Sequence, residues 1–280
     1  MKAKTISKIL ENKFKGLLNS IDNEEIKELM TWNTIITGGC ITSMLLNEDV
    51  NDYDLYFKDL NTTKKVAEYF VDKYNTKNTN DSKPQVQEID GRLKIMIKSS
   101  GVAEDIEAKE EIGQKDKMFT KESSKGKKYI PVFITANAIS LSDDVQLILR
   151  FYGEPEEIHK NYDFVHCTNY WTSWGRELVL KKEALESILT KELTYTGSLY
   201  PVCSVIRLRK FIKRGWTITA GQILKILWQV SKLDLEDIDV LEDQLTGVDL
   251  VYFSSLIDVL KEGDRDINYQ YISELVDEIF

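Results

Sequence analysis

Histidine and cysteine are scarce in this chain. Among 280 residues there are two histidines, His159 and His166, and three cysteines, Cys40, Cys167 and Cys203. The cysteines are too scattered for a disulfide framework and form no CxxC pair, which excludes a zinc knuckle, and two histidines leave little room for His-based zinc catalysis. No apolar run approaches the length of a membrane-spanning helix. Residues Met1 to Gly16 carry lysines but lack the apolar centre of a signal peptide. The chain therefore reads as a soluble, cytoplasmic protein with no membrane partner. Its 42% hydrophobic and 10% aromatic content excludes wholesale disorder.

A net charge of −9 seems to argue against a nucleic-acid partner. The distribution removes that objection. Residues 233–280 hold fourteen acids against Lys261 and Arg265, a net of −12, which leaves +3 on residues 1–232.

Periodicity predicts two amphipathic helices within 5–31, the second capped by Asn23, then a β-rich stretch from Trp32 to Thr37 that stops at Gly38-Gly39. A short helix over Ile41–Leu46 and a strand over Asp52–Phe57 follow, then a helix over Thr62–Tyr74 and a strand over Arg92–Ile97. Charged residues near 103–128 read as a mobile insertion. Further β-type runs cover Tyr129–Ile134, Ala138–Leu141, Val145–Tyr152 and Tyr162–Cys167. From Lys181 onward the pattern is helical, with a capping box expected at Thr219 and Gln222. The expected domains are 1–175, an α+β half, and 176–280, a helical half with a basic helix at 204–214 and acidic C-terminal helices.

The sharpest local feature is Gly38-Gly39, twelve intervening residues, then Asp52-Tyr53-Asp54. Residues i and i+2 of a strand share a face, so Asp52 and Asp54 project side by side. Two such carboxylates repel unless a cation holds them, and hard oxygen donors suit Mg²⁺, with Mn²⁺ as an alternative. A pair of ions held there can clamp an in-line phosphoryl transfer. Gly38-Gly39 ends a strand and opens a helix, bringing backbone N–H groups to one point where a phosphate can approach closely. Thr42 and Ser43, one turn in, offer hydroxyl donors.

These residues resemble the nucleotidyltransferase superfamily of the DNA polymerase beta type, in which a strand ending in Gly-Gly or Gly-Ser precedes an acid–x–acid pair, with a third acid on a later strand. The run Gly38-Gly39-Cys40-Ile41-Thr42-Ser43 is also similar to the start of poly(A) polymerases and CCA-adding enzymes, although those usually carry Arg-Asp at Thr42-Ser43. Residues 145–171 and 195–215 look similar to nucleotidyltransferase-like proteins of large phages and viruses. The resemblance implies a nucleotidyltransferase-type mixed sheet with flanking helices. It implies two Mg²⁺ ions on Asp52, Asp54 and Asp163, with Asp163 as base for the acceptor hydroxyl. Gly38, Gly39 and Ser43 would cradle the triphosphate of an NTP, Arg207 and Lys210 would neutralise phosphate charge, and an RNA or tRNA 3′ end would be the acceptor. Such a protein would work in a bacterial or infected-host cytosol.

For the third acid, Asp163 lies between apolar residues on an expected late strand, while Asp90 and Asp143-Asp144 look like turn residues. The basic run Arg207, Arg209, Lys210, Lys213 and Arg214 places Arg207, Lys210 and Arg214 on one helical side and Val205, Leu208 and Ile212 on an inward apolar side. Tyr170, Trp171 and Trp174 read mainly as packing aromatics, and His166 and Cys167 as ordinary sheet residues. Two other classes of function stand beside catalysis. One is a nucleotide- or RNA-binding module without turnover. The other is a phage-type interaction or inhibitor protein acting through its acidic C-terminal surface.

Overall fold

Alternation of apolar and polar side chains builds the first half of the molecule. The computed structural model describes residues 1–77, 83–89, 91–96, 128–245, 251–262 and 267–279, so the insertion expected near 103–128 and Asp90 lie almost wholly outside the described residues. Helices α1 (Ala3–Asn19) and α2 (Glu24–Asn33) come first, and Asn23 Oδ1 caps α2 by accepting from the Ile26 amide at 3.2 Å. The β-run expected from Trp32 begins only at Thr34. Asn33 closes α2 by donating its side-chain amide to the Leu29 carbonyl, and Trp32 remains helical and exposed.

Strand β1 (Thr34–Thr37), helix α3 (Gly39–Leu46), strand β2 (Tyr53–Phe57) and helix α4 (Leu60–Lys77) follow, then the hairpin β3 (Gln85–Ile89) and β4 (Arg92–Met96). Strands β5 (Pro131–Ile134), β6 (Ala138–Leu141) and β7 (Val145–Tyr152) lead to the short helix α5 (Pro155–His159) and then to β8 (Tyr170–Thr172) and β9 (Glu177–Val179). Seven of these strands form one mixed sheet, ordered β5-β6-β7-β2-β1-β8-β9, in which β2 and β7 run parallel and the remaining neighbours antiparallel.

Register sorts the sheet into two faces. Ile36, Leu55, Leu147, Ile139 and Trp171 stand in one cross-strand row and are almost wholly buried. They pack with Ile6, Leu10 and Phe14 of α1, Cys40 and Ile41 of α3, and Val66 and Phe70 of α4. One residue along, the opposite face carries the row Ser140, Gln146, Asp54, Thr37 and Tyr170. A one-residue slip would exchange these rows, so the apolar set fixes where Asp54 points.

The chain divides into two compact units. The first comprises residues 1–159 and 166–188, and the second comprises 160–165 and 189–280. Helix α6 (Lys182–Thr190) leads out of the first. The second contains α7 (Pro201–Lys213), α8 (Ala220–Val230), α9 (Ile238–Leu245), α10 (Val251–Glu262) and α11 (Tyr269–Ile279). Leu241, Leu245, Leu256, Ile257, Leu260 and Leu275 form an apolar cluster in it, against which Val202 and Ile206 of α7 pack. Among the described residues, no helix is long and apolar enough to cross a membrane.

The expected capping box is replaced. Thr219 is the N-cap of α8 but makes no side-chain cap, since the Gln222 amide donates to the Thr219 carbonyl at 3.0 Å, and Gln222 Oε1 accepts from the Tyr195 amide at 2.9 Å instead of reaching back. The Tyr162–Cys167 run is not a strand either. Phe164 makes a single bridge to Tyr195, and Val165–Cys167 closes into a 3₁₀ turn, so His166 and Cys167 are turn residues.

Trp171 is fully buried, with its ring 5.6 Å from that of Phe14, and among the described residues its indole N–H finds no acceptor. Trp171→Ala is expected to cost about 3–5 kcal/mol in urea unfolding. Trp171→Phe should cost much less, because it also removes a buried, unpartnered donor worth about 1–3 kcal/mol. Equal losses for the two variants would contradict this packing.

Candidate functional site

The β1–β2 pairing brings the glycine turn beside the acidic pair. Thr37, the last residue of β1, is the Cα partner of Asp54, and Gly38-Gly39 follows it directly. Gly38 has φ 95° and ψ −153°, a conformation essentially reserved for glycine, and this lets β1 turn at once into α3. Its N–H donates to the Cys167 carbonyl at 3.2 Å, and Thr42 Oγ1 donates to the His166 carbonyl at 2.8 Å, so the 3₁₀ turn holds the start of α3. Among the described residues no side chain caps this helix, and a Cβ added at Gly39 would meet nothing within 4 Å. The space beside the Gly39 Cα is thus open at the start of α3, where the positive end of a helix favours an anion. Ser43 lies deeper in the helix and is buried.

Strand β2 begins at Tyr53, so Asp54 lies within it and Asp52 immediately before it. Both carboxylates act on the start of α3. Burial pushes the Cys40 thiol well above its ordinary value, and the negative charges of Asp54 and then Asp52 push it further. Cys40 therefore stays protonated and is no nucleophile. On β7, the parallel neighbour of Asp54 is Gln146. Asp144 lies one residue before Val145, the Cα partner of Tyr53, and its carbonyl accepts from the Tyr53 amide at 2.7 Å. Asp143 and Asp144 both have positive φ in the β6–β7 turn, as the turn reading expects. Among the described residues, no group of three His, Cys, Asp or Glu side chains is placed to hold a metal ion.

Thr37 also anchors a buried polar chain that the sequence did not reveal. Lys181 Nζ lies 3.1 Å from His159 Nδ1, and His159 Nε2 lies 2.9 Å from Thr37 Oγ1, which donates to the Asn169 carbonyl at 2.9 Å. An ammonium can only donate, so Nδ1 accepts, Nε2 carries the proton and the chain has one direction. Burial, followed by the Lys181 charge, lowers His159 to about 3. No spacing motif links positions 37, 159 and 181. Only the rarity of histidine in the chain could have pointed to His159.

Asp163 and Arg207 belong to the second unit and meet each other there. Arg207 Nη1 donates to both carboxylate oxygens of Asp163, at 2.8 and 2.7 Å, and the Asp163 side chain is only 9% exposed. Asp163 sits in irregular chain before Phe164, with its carbonyl accepting from the Thr196 amide at 2.9 Å. The ring of Phe164 packs edge-on against Tyr195 and Phe211. The ion pair thus ties segment 160–165 to α7. That helix is rotated from expectation, for Asp163 draws Arg207 inward. Val205 and Ile212, expected to pack inside, are exposed, while Cys203 and Ser204 are buried. Lys210 is exposed.

Two measurements check this geometry. The native state keeps His159 neutral down to about pH 3, whereas the unfolded chain binds that proton near 6.5. Stability should therefore fall as pH drops below 6.5, by up to about 1.4 kcal/mol per unit, and be unaffected by this group above 6.5. Urea unfolding of wild type and His159→Gln at pH 7, 6 and 5 should show the steeper loss in wild type; parallel curves would refute it. A double-mutant cycle of Asp163→Ala and Arg207→Ala should give a coupling of about 1–2 kcal/mol, moderated by the partly exposed guanidinium. Strict additivity would mean that the pair does not hold the segment.

Comparison with known proteins places this geometry in context. A Bacillus stearothermophilus CCA-adding enzyme in complex with CTP is similar at 12% identity and a TM-score of 0.41, covering 87% of this chain and 51% of that one. A Thermotoga maritima CCA-adding enzyme complexed with tRNA is similar at 12% identity and a TM-score of 0.41, covering 88% and 54%. Gabija anti-defense 2 of Bacillus phage SPbetaL7 is 22% identical over 269 residues, covering 95% of this chain and 53% of the relative. The chain thus spans about half the length of that curated relative. The family profile described as "Gabija anti-defense 2 family protein" matches residues 8–191, from α1 through the whole seven-stranded sheet. The chain belongs to the Gabija anti-defense 2 family.

Proposed function

We propose that this chain is a phage-type anti-defence protein that binds a nucleoside triphosphate with Mg²⁺ in its first unit and transfers the nucleoside monophosphate to an acceptor hydroxyl. One observation carries the reading: the Thr37–Asp54 register sets an uncapped helix N-terminus beside two carboxylates. The amides after Gly38 and the space above Gly39 suit phosphate oxygens. Asp52 and Asp54 suit a hard cation, and their charges already raise the Cys40 thiol, a repulsion that a bound cation relieves. When bound, Mg²⁺ supplies charge neutralisation at the phosphates. The acceptor hydroxyl gives up its proton to solvent, its oxygen forms a bond to the α-phosphorus as the bond from that phosphorus to the α–β bridging oxygen breaks, and pyrophosphate leaves. An RNA 3′ hydroxyl is the first acceptor to test. Asp163 is committed to Arg207, so the reading draws its metal ligands from Asp52 and Asp54. Gly38 and Gly39 form the cradle.

A second reading, nucleotide binding without turnover, is favoured by Gln146. The strand beside Asp54 offers a neutral amide where an acid would complete a set of three carboxylates.

Incubation with labelled NTPs, Mg²⁺ and total RNA separates the two. Transfer predicts incorporated label that falls at least ~100-fold in Asp52→Ala/Asp54→Ala. Binding without turnover predicts no incorporation but nucleotide affinity that the double variant loses. Undiminished binding in that variant would overturn both. Gly39→Ala is the folding control. Its stability should stay within about 1 kcal/mol of wild type, while the methyl group obstructs the phosphate and weakens nucleotide binding.

A further inference from the structure

Helix α8 presents an apolar stripe outward. Leu224, Leu227 and Trp228 are 62%, 54% and 65% exposed, and Ile223 is exposed beside them, while Ile226 is buried on the inner side. Gln222 and Gln229 also face inward, where they bond Tyr195 and Ser198. Positions 224, 227 and 228 share one helical side, the spacing by which a helix seats on a partner. Trp228 has Lys232 Nζ 6.0 Å from its ring, and Lys225 is exposed on the same helix. On α7, which packs against α8, Ile212 is 54% exposed among Arg209, Lys210, Lys213 and Arg214.

The charge around this stripe is one-sided. From Leu193 to Leu233 there is no Asp or Glu, and there are seven Lys or Arg. The following segment, residues 234–280, carries the net −12 of the C-terminus. Its described surface is acidic and partly apolar: Asp258 is exposed beside the exposed Val259 on α10, and Tyr269 is exposed on α11, which also carries exposed Glu274, Asp277 and Glu278. An apolar stripe on a segment without acids and an acid-rich segment are thus present on one chain. Pairing α8 with α8 would oppose like charges. Nucleic acid suits the lysines and can stack a base on Trp228, but it gains nothing from Ile223, Leu224 and Leu227, which make up the rest of the stripe.

We propose that the α8 face docks on the acidic C-terminal helices of a second copy of this chain. Each copy gives its α8 stripe to its partner's acidic helices and receives the partner's stripe on its own, so a two-fold axis closes the pair with two equivalent contacts. The apolar side chains, Trp228 above all, supply the buried centre of each contact, and the surrounding charges supply register and salt dependence.

Sedimentation velocity of the full chain tests this over a range of concentration and salt. A reversible dimer that weakens as salt rises is expected. Leu224→Glu/Trp228→Glu should raise the dimer dissociation constant at least ~30-fold, with circular dichroism and melting temperature unchanged because both side chains already face solvent. Asp258→Lys/Glu274→Lys should weaken the dimer as well. An equimolar mixture of the two double variants should form a heterodimer more stable than either homodimer, because one contact then joins two unaltered faces. A wild-type chain that stays monomeric would overturn the proposal. So would a dimer indifferent to the acidic-helix variant, or α8 variants that lose RNA binding while self-association is unchanged.

Discussion

The antiparallel register between β1 and β2 is the constraint on which the first unit depends. With Ile36 opposite Leu55, both side chains enter the apolar core. With Thr37 opposite Asp54, the next pair must face the other way. Full burial of a large aliphatic side chain is worth about 1.5–3 kcal/mol, and four such positions, with Trp171, lie in that one row. Hydrophobic burial therefore aims the carboxylate, and Gly38 ends the strand where its neighbour carries it. The polar chain from Lys181 through His159 to Thr37 adds direction, because each hydrogen bond can run only one way once the lysine is charged.

The second unit answers to a different interaction. A carboxylate that is almost fully buried needs a partner, and Arg207 provides a two-pronged one for Asp163. Satisfying that charge turns α7 so that Ile212 and Val205 face outward, and α8 beside it leaves Trp228 and Leu224 uncovered. A net charge of −9 therefore conceals a basic segment, 193–233, followed by an acidic one, 234–280.

Much of the first unit was legible in the sequence because its signals are local. The Asn23 cap, the α4 periodicity and the alternation of β6 and β7 depend on neighbours only a few residues away. The Gly-Gly turn and the Asp–x–Asp pair were equally plain, since both are short motifs on consecutive elements. Long-range choices were hidden. Tyr162–Cys167 has a strand-like composition, but its backbone bonds run to 194–196 for two residues and then curl into a 3₁₀ turn. Gln222 looked like a capping residue, yet the Tyr195 amide, 27 positions away, claims it. The outward side of α7 could not be read from its own periodicity, because a charge on a distant loop decides which side is buried.

The central claim is that the start of α3 and the acids beside it form one site for a phosphate and its cation. Backbone amide spectra of isotopically labelled protein, recorded while an NTP and Mg²⁺ are titrated together, test it most directly. The account predicts saturable shifts concentrated at Gly39, Cys40 and Ile41 and at Asp52 to Asp54, all abolished by Asp52→Ala/Asp54→Ala. Saturating shifts elsewhere, with these amides unmoved, would contradict it.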